Sequence, residues 1–165
     1  MLRGGISGAR WIDAENYHIT LRFIGDVDER MASEAAEALG EIQRSGFPVA
    51  LDGLSWFGGD KPRAIVAKIK PTPALIELQA DHERRLRRIG LEPEPRKYTP
   101  HITLARLRSA STLAVADYLS MRGYLPSLAF DATRFVLFSA RESIGGGPYL
   151  VEAAYPLQGA PGQWS

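Results

Sequence analysis

The tetrapeptide His-Ile-Thr-Leu occurs twice in this chain, as His18-Ile19-Thr20-Leu21 and as His101-Ile102-Thr103-Leu104. Of three histidines in 165 residues, two therefore sit in identical settings about half a chain apart. In an extended strand successive side chains point to opposite faces. His18 and Thr20 then share one face, Ile19 and Leu21 the other, and the second copy repeats this with His101 and Thr103. A half-buried strand offering an imidazole and a hydroxyl on its open side, made twice, suggests one cleft with two proton-transfer groups.

Two imidazoles across a cleft can supply one base and one acid near neutral pH, because an unperturbed histidine titrates at about 6.5. Each such group typically contributes about 10²–10⁴ in rate. A hydroxyl two residues on can donate a hydrogen bond to a developing oxyanion. Guanidinium groups nearby favour phosphate over a carbonyl, since their fork matches phosphate oxygens. Arg96, Lys97, Arg106 and Arg108 flank the second copy, and Arg84, Arg85, Arg87 and Arg88 crowd one helical stretch. The latter cluster reads first as a solvated helix face and only second as an RNA contact. Hydroxyls and a guanidinium on the non-bridging oxygens of a cyclic phosphodiester would act mainly on the transition state. No metal is needed for a strained cyclic phosphate if a base and an acid stand in line.

The elements that must position these groups follow from patterning. Residues 17–24 alternate as a strand, with Tyr17, Ile19, Leu21 and Phe23 apolar. Asp26 or Asp28 can cap a helix carrying Met31, Ala35, Leu39 and Ile42, which Gly46 ends. Strands are expected at about 49–57 and 64–69 around a Gly58-Gly59-Asp60 turn. Pro73 opens a second helix with the stripe Leu75, Leu78, His82, Leu86 and Ile89, closed by Gly90. His82, on that apolar seam, reads as a core histidine. A Pro-rich connector at 92–100 leads into the strand at His101. A helix at 111–121 and a strand pair at 128–139 and 149–155, turning at Gly145-Gly146-Gly147, complete the pattern, with a loose tail at 158–165. Hairpins interrupted by helices predict an α+β fold of largely antiparallel sheet.

Composition bounds the function. There is no cysteine, which removes disulfides and thiolate chemistry and fits a cytoplasmic, reducing setting. No apolar run approaches the length that spans a bilayer, and residues 1–10 lack the apolar core of a signal peptide. The net charge of +1 creates no global field. No H-E-x-x-H or H-x₃-H spacing favours a metal, and no P-loop or G-x-S-x-G elbow is present. The expectation is neither cofactor nor metal, no membrane, and a monomer.

The surroundings of the two tetrapeptides also correspond. Phe47–Phe57 parallels 128–138, and 63–70 parallels 149–157, behind Pro62 and Pro148. This predicts a single domain over 1–165 made of two related half-repeats, about 17–70 and 101–157, facing each other as two pseudo-symmetric lobes around a central cleft.

The segments NYHITLRFIGDVDE and YTPHITLAR, separated by PRAIVAKIK and a Leu-rich helix, resemble the two-histidine phosphoesterases. Within them the resemblance is to the bacterial RNA 2′,3′-cyclic phosphodiesterases, historically called 2′-5′ RNA ligases, and it runs from about Trp11 to Leu157. It implies a two-lobed α+β fold and metal-independent opening of an RNA-terminal 2′,3′-cyclic phosphate to a 2′-phosphate. It also implies a reversible 2′,5′ joining of RNA ends in some relatives, with RNA 3′ ends as partner. Carried over by residue, His101 activates water, His18 protonates the departing 3′ oxygen, and Thr20 and Thr103 hold phosphate oxygens. Arg106, in the Ala-Arg after the second motif, would contact phosphate, with Arg63 as a further candidate. Strict alternation puts Arg106 on the face opposite His101, so this role requires a bulge or a strand end. The resemblance further implies an apolar strand and a helix ahead of Trp11, and residues 1–10 carry only a remnant of them. The competing readings are a catalytically idle RNA-end reader and the same chemistry on a small cyclic nucleotide.

Overall fold

The computed structural model of the protein describes residues 5–122, 128–139 and 150–158. Its elements are β1 (Ala9–Trp11), α1 (Glu29–Leu39), β2 (Phe47–Phe57), β3 (Ala64–Ile69), α2 (Pro73–Arg88), β4 (His101–Leu107), α3 (Thr112–Arg122), β5 (Ala129–Ala132), β6 (Arg134–Ser139) and β7 (Leu150–Pro156). Five strands form an antiparallel sheet in the order β1-β4-β3-β2-β5, and β6 pairs with β7 separately. The α+β, antiparallel character expected from patterning is what the chain adopts.

Helices α1 and α2 form for local reasons. Asp28 caps α1 by accepting from the Met31 amide at 2.8 Å. Pro73 opens α2, where its missing N–H costs nothing. One core joins Leu39 of α1 and Leu75, Leu78 and Leu86 of α2 to Val49, Ile69, Phe135 and Leu157. A second joins Val115 and Tyr118 of α3 to Ile65, Ala67, Leu104 and Ala105 of the sheet. The sheet therefore has apolar packing that fixes its strands in register beneath the polar ends of β3 and β4.

Five local expectations are corrected. A short strand, β1, does form within the opening residues, because it pairs with β4 at Ala9–Leu107 and Trp11–Ala105. Three residues are too few for periodicity to reveal, and tertiary pairing makes the strand. Residues 17–24 form no ladder, only one bridge from Ile19 to Ile102. Helix α1 ends at Gly40 rather than Gly46, although Ile42 is still buried. The expected strand at 128–139 breaks at Thr133, so that β5 joins β2 while β6 joins β7. Of the tail expected to be loose over 158–165, Gln158 is instead bridged to Ser45, while residues 159–165 and the Gly145-Gly146-Gly147 turn lie outside the described residues.

Two arginines of the α2 cluster, Arg84 and Arg85, are tied down by charge. Asp81, side chain 6 % exposed, receives Arg44 at 3.0 Å, Arg84 at 2.7 Å and Arg85 at 3.0 Å. Burial pushes its carboxyl pKa up, but hydrogen bonds from Arg44 and Arg85 outweigh that and hold it below the usual value. His82, beside it, is buried, donates Nδ1–H to the Leu78 carbonyl at 2.9 Å and stands edge-on to Phe135 at 4.6 Å. It is the core histidine its helical position suggested.

Candidate active site

The two tetrapeptides lie side by side. Ile19 opposes Ile102 in an antiparallel bridge. That register sets His18 across from Thr103 and Thr20 across from His101, all on one face. Directly opposed side chains stand about 5 Å apart and diagonal ones about 7–8 Å apart. His18 and His101 occupy such a diagonal, and both line the same cavity.

His18, Thr20, His101, Thr103, Arg63 and Arg106 all line one cavity of about 280 Å³. Among the described residues that line it there is no carboxylate. Ile12, Asn16, Phe57 and Ala64 complete its wall, and none of these was anticipated as a site residue.

Arg106 arrives there through a bulge. Val66 pairs with Thr103 but the next residue of β3, Ile65, pairs with Ala105. Leu104 is thus an extra residue in β4, and alternation restarts after it. Leu104 and Ala105 are both buried in the α3-side core, and Arg106 returns to the face of His101 and Thr103.

Both imidazoles are held alike. Nδ1 of His18 bonds the Asn16 carbonyl at 2.9 Å, and Nδ1 of His101 bonds the Thr99 carbonyl at 2.7 Å. A carbonyl only accepts, so Nδ1 donates the hydrogen in each of these two bonds. Each ring also meets a phenylalanine edge-on: Phe57 stands 4.6 Å from His101, and Phe138 stands 5.6 Å from His18. The contacts are reciprocal, since Phe57 lies in the earlier part of the chain and supports the later histidine. Sequence held a signal for this pair, because matching Phe47–Phe57 to 128–138 sets Phe57 against Phe138.

The unpaired-looking first motif is anchored by side chains instead of a ladder. Tyr98 donates its hydroxyl to the Thr20 carbonyl at 2.8 Å. Arg22, side chain 6 % exposed, bonds Glu83 at 2.5 Å, the Phe23 carbonyl at 2.6 Å and the Glu92 carbonyl. Glu83 in turn accepts from the Glu94 amide at 3.0 Å, fastening the connector that leads to His101.

Such a site can place a base, an acid, two hydroxyls and two guanidiniums around one phosphorus. Among the described residues no group of three His, Cys, Asp or Glu could hold a metal ion, and no helix is long and apolar enough to cross a membrane.

Comparison with known proteins points the same way. A family model described as the 2′-5′ RNA ligase superfamily matches residues 8–143. An Aeropyrum pernix protein named RNA 2′,3′-cyclic phosphodiesterase is 38 % identical over 104 residues, 62 % of this chain and 59 % of the relative. One of the same name from Geobacillus stearothermophilus is 34 % identical over 157 residues, 92 % of this chain and 48 % of the relative. The chain thus spans less than two thirds of the length of these curated relatives. The crystal structure of E. coli LigT complexed with 3′-AMP superimposes with a TM-score of 0.71 at 25 % identity, over 92 % of this chain and 82 % of LigT.

Proposed function

The chain belongs to the 2′-5′ RNA ligase superfamily, and from that membership we propose that it opens RNA-terminal 2′,3′-cyclic phosphates to 2′-phosphates without a metal ion. The observation that carries this reading is the single cavity lined by both histidines, both threonines, Arg63 and Arg106. In the proposed reaction Nε2 of His101 takes a proton from water as its oxygen attacks phosphorus. The P–O3′ bond breaks, and Nε2–H of His18 delivers a proton to the departing 3′ oxygen. Charge growing on the non-bridging oxygens meets the Thr20 and Thr103 hydroxyls and the Arg106 and Arg63 guanidiniums, which therefore favour the transition state over the ground state. An RNA 5′-hydroxyl in place of water would instead give a 2′,5′ linkage, by the same bond changes.

The matched Nδ1 contacts support both roles, because each directs Nε2 to the chemistry. The same reading treats the chain as one domain of half-repeats at about 17–70 and 101–157, supported by the reciprocal phenylalanine contacts. It also keeps the protein as a cytoplasmic monomer, in line with its lack of cysteine. The test is incubation of the protein with an oligoribonucleotide ending in a 2′,3′-cyclic phosphate, in EDTA. A 2′-phosphate product is expected. No opening, or opening to a 3′-phosphate, overturns the proposal.

A further inference from the structure

We infer that the Asn16 carboxamide is a further catalytic group, which donates a hydrogen bond to the oxygen leaving phosphorus and thereby fixes His18 as the acid. This rests on the cyclic-phosphodiesterase reading and adds to it the reason that the two histidines play different parts.

The reactive groups of the cavity come in matched pairs, and matched pairs cannot choose a direction. His18 and His101 line it alike, as do Thr20 and Thr103. Even the carbonyls that hold Nδ1 correspond, each two residues before its histidine: Asn16 for His18 and Thr99 for His101. The side chains of those two residues break the symmetry. Asn16 is half-buried and lines the cavity, whereas Thr99 is exposed and is not among the lining residues.

The backbone around Asn16 is fixed before any substrate arrives. Ile12 donates its amide to the Leu104 carbonyl of β4 at 2.9 Å, and Ile19 bridges to Ile102 of the same strand. Between these attachments the chain makes a 3₁₀ turn over Ala14–Asn16, closed by the Asn16 amide on the Asp13 carbonyl at 2.8 Å. Asn16 is thus suspended beside β4 with its own carbonyl on the His18 ring. Among the described residues its carboxamide makes no hydrogen bond. Two N–H donors are therefore left for what enters the cavity.

An in-line displacement puts the attacking and departing oxygens on opposite sides of phosphorus. Asn16 belongs to the side of His18, whose ring it holds. A donor aimed at the attacking water would tie up the lone pair that must form the new bond. At the departing oxygen the same donor meets charge that grows as the P–O3′ bond breaks, so its hydrogen bond strengthens in the transition state. An amide does not itself give up a proton. The electron pair of the broken bond goes to the 3′ oxygen, and the proton that oxygen takes still comes from His18, while His101 receives the proton of water.

The experiment compares the wild type with Asn16→Ala, Asn16→Leu, His18→Ala and His101→Ala on two short oligoribonucleotides ending in a 2′,3′-cyclic phosphate. One is natural, and the other carries sulfur in place of the departing 3′ oxygen. A thiol ionises at about 8.5, far below a sugar hydroxyl, and its sulfur accepts hydrogen bonds poorly, so it departs without proton or donor. On the natural substrate either Asn16 variant should lose about tenfold to hundredfold in kcat, with KM changed less. On the sulfur substrate those losses, and that of His18→Ala, should shrink to about threefold or less, while His101→Ala stays impaired. Equal losses on both substrates make Asn16 a mere support of its turn and overturn the inference, as does no loss on either. Sulfur rescue of His101→Ala in place of His18→Ala reverses acid and base and overturns it as well. A wild type that opens neither ring overturns the hydrolase reading, and the inference falls with it. A wild type that opens the natural ring to the 2′-phosphate keeps that reading whatever the Asn16 variants do.

Discussion

The hydroxyl of Tyr98 donates across the molecule to the carbonyl of Thr20 at 2.8 Å, joining the lead-in of the second motif to the backbone of the first. Burial raises the phenol's pKa, so the hydroxyl keeps its proton at any pH the protein meets. Tyr98→Phe should lower stability by about 0.5–1.5 kcal/mol, the usual worth of one hydrogen bond. Denaturant unfolding measures this, and a fall in kcat larger than any change in KM would mark the loosened Thr20.

Replacing His18 or His101 with Ala should reduce kcat by about 10²-fold or more while leaving the melting temperature near that of the wild type. The double variant should be little worse than either single one, since an acid and a base acting in one step are not additive. Full activity in either single variant would end the paired-histidine scheme. The same scheme requires a bell-shaped dependence of kcat/KM on pH in the wild type, with one limb lost in each variant.

Phe57 and Phe138 hold the two imidazoles edge-on. Substituting Leu for either should cost up to about tenfold in kcat, in keeping with the 0.5–1.5 kcal/mol of an aromatic pair. Nitrogen-15 shifts of the histidine rings would report any redistribution of the tautomer. A rise in KM at constant kcat would instead assign Phe57 to stacking a nucleobase.

Arg22 and Glu83 test the anchoring of the first motif. Removing one partner of so enclosed a pair leaves an uncompensated charge, so Arg22→Met should destabilise by about 3–5 kcal/mol. Adding Glu83→Gln should restore part of the loss. A double variant as unstable as the sum of the two singles would show that the pair is not coupled.

Acid should weaken the fold through His82. Burial lowers its pKa below the ordinary 6.5, against the opposing pull of the Leu78 carbonyl and Asp81 and with minor help from Arg85 and Arg44. The unfolded chain then binds a proton more readily than the folded one between the folded value and 6.5. Stability is complete above about pH 6.5 and is lost as pH falls from there toward the folded value. His82→Leu should flatten that part of a stability-versus-pH curve. Asp81, whose pKa is held low by arginines, adds a separate loss only near and below its ordinary 3.8.

What the sequence revealed and concealed divides by range. Helices α1 and α2 and the hairpin strands β2 and β3 were readable because caps, Pro73 and short-period patterns act locally. The chemistry-bearing pairs were readable because the tetrapeptide is short and repeated. Residues 17–24 misled, since their alternation looks like a ladder strand while their backbone is held by Tyr98 and Arg22. Those partners lie 78 residues from Thr20 and 61 residues from Glu83 respectively, beyond any local pattern. Strand β1 was hidden for the same reason: only β4 makes it a strand. The Arg84 and Arg85 charges looked available in sequence, and it took the buried Asp81 to occupy them.

The extra residue at Leu104 has a consequence for anyone moving this motif elsewhere. Sheets count in twos, yet histidine and arginine here are separated by an odd interval and still look the same way. Grafted onto a regular strand, the identical six-residue string would aim its guanidinium at the scaffold's interior. Within the native protein, deleting that one leucine would leave an even interval, so plain alternation would keep the guanidinium on the histidine's face with no bulge to put it there.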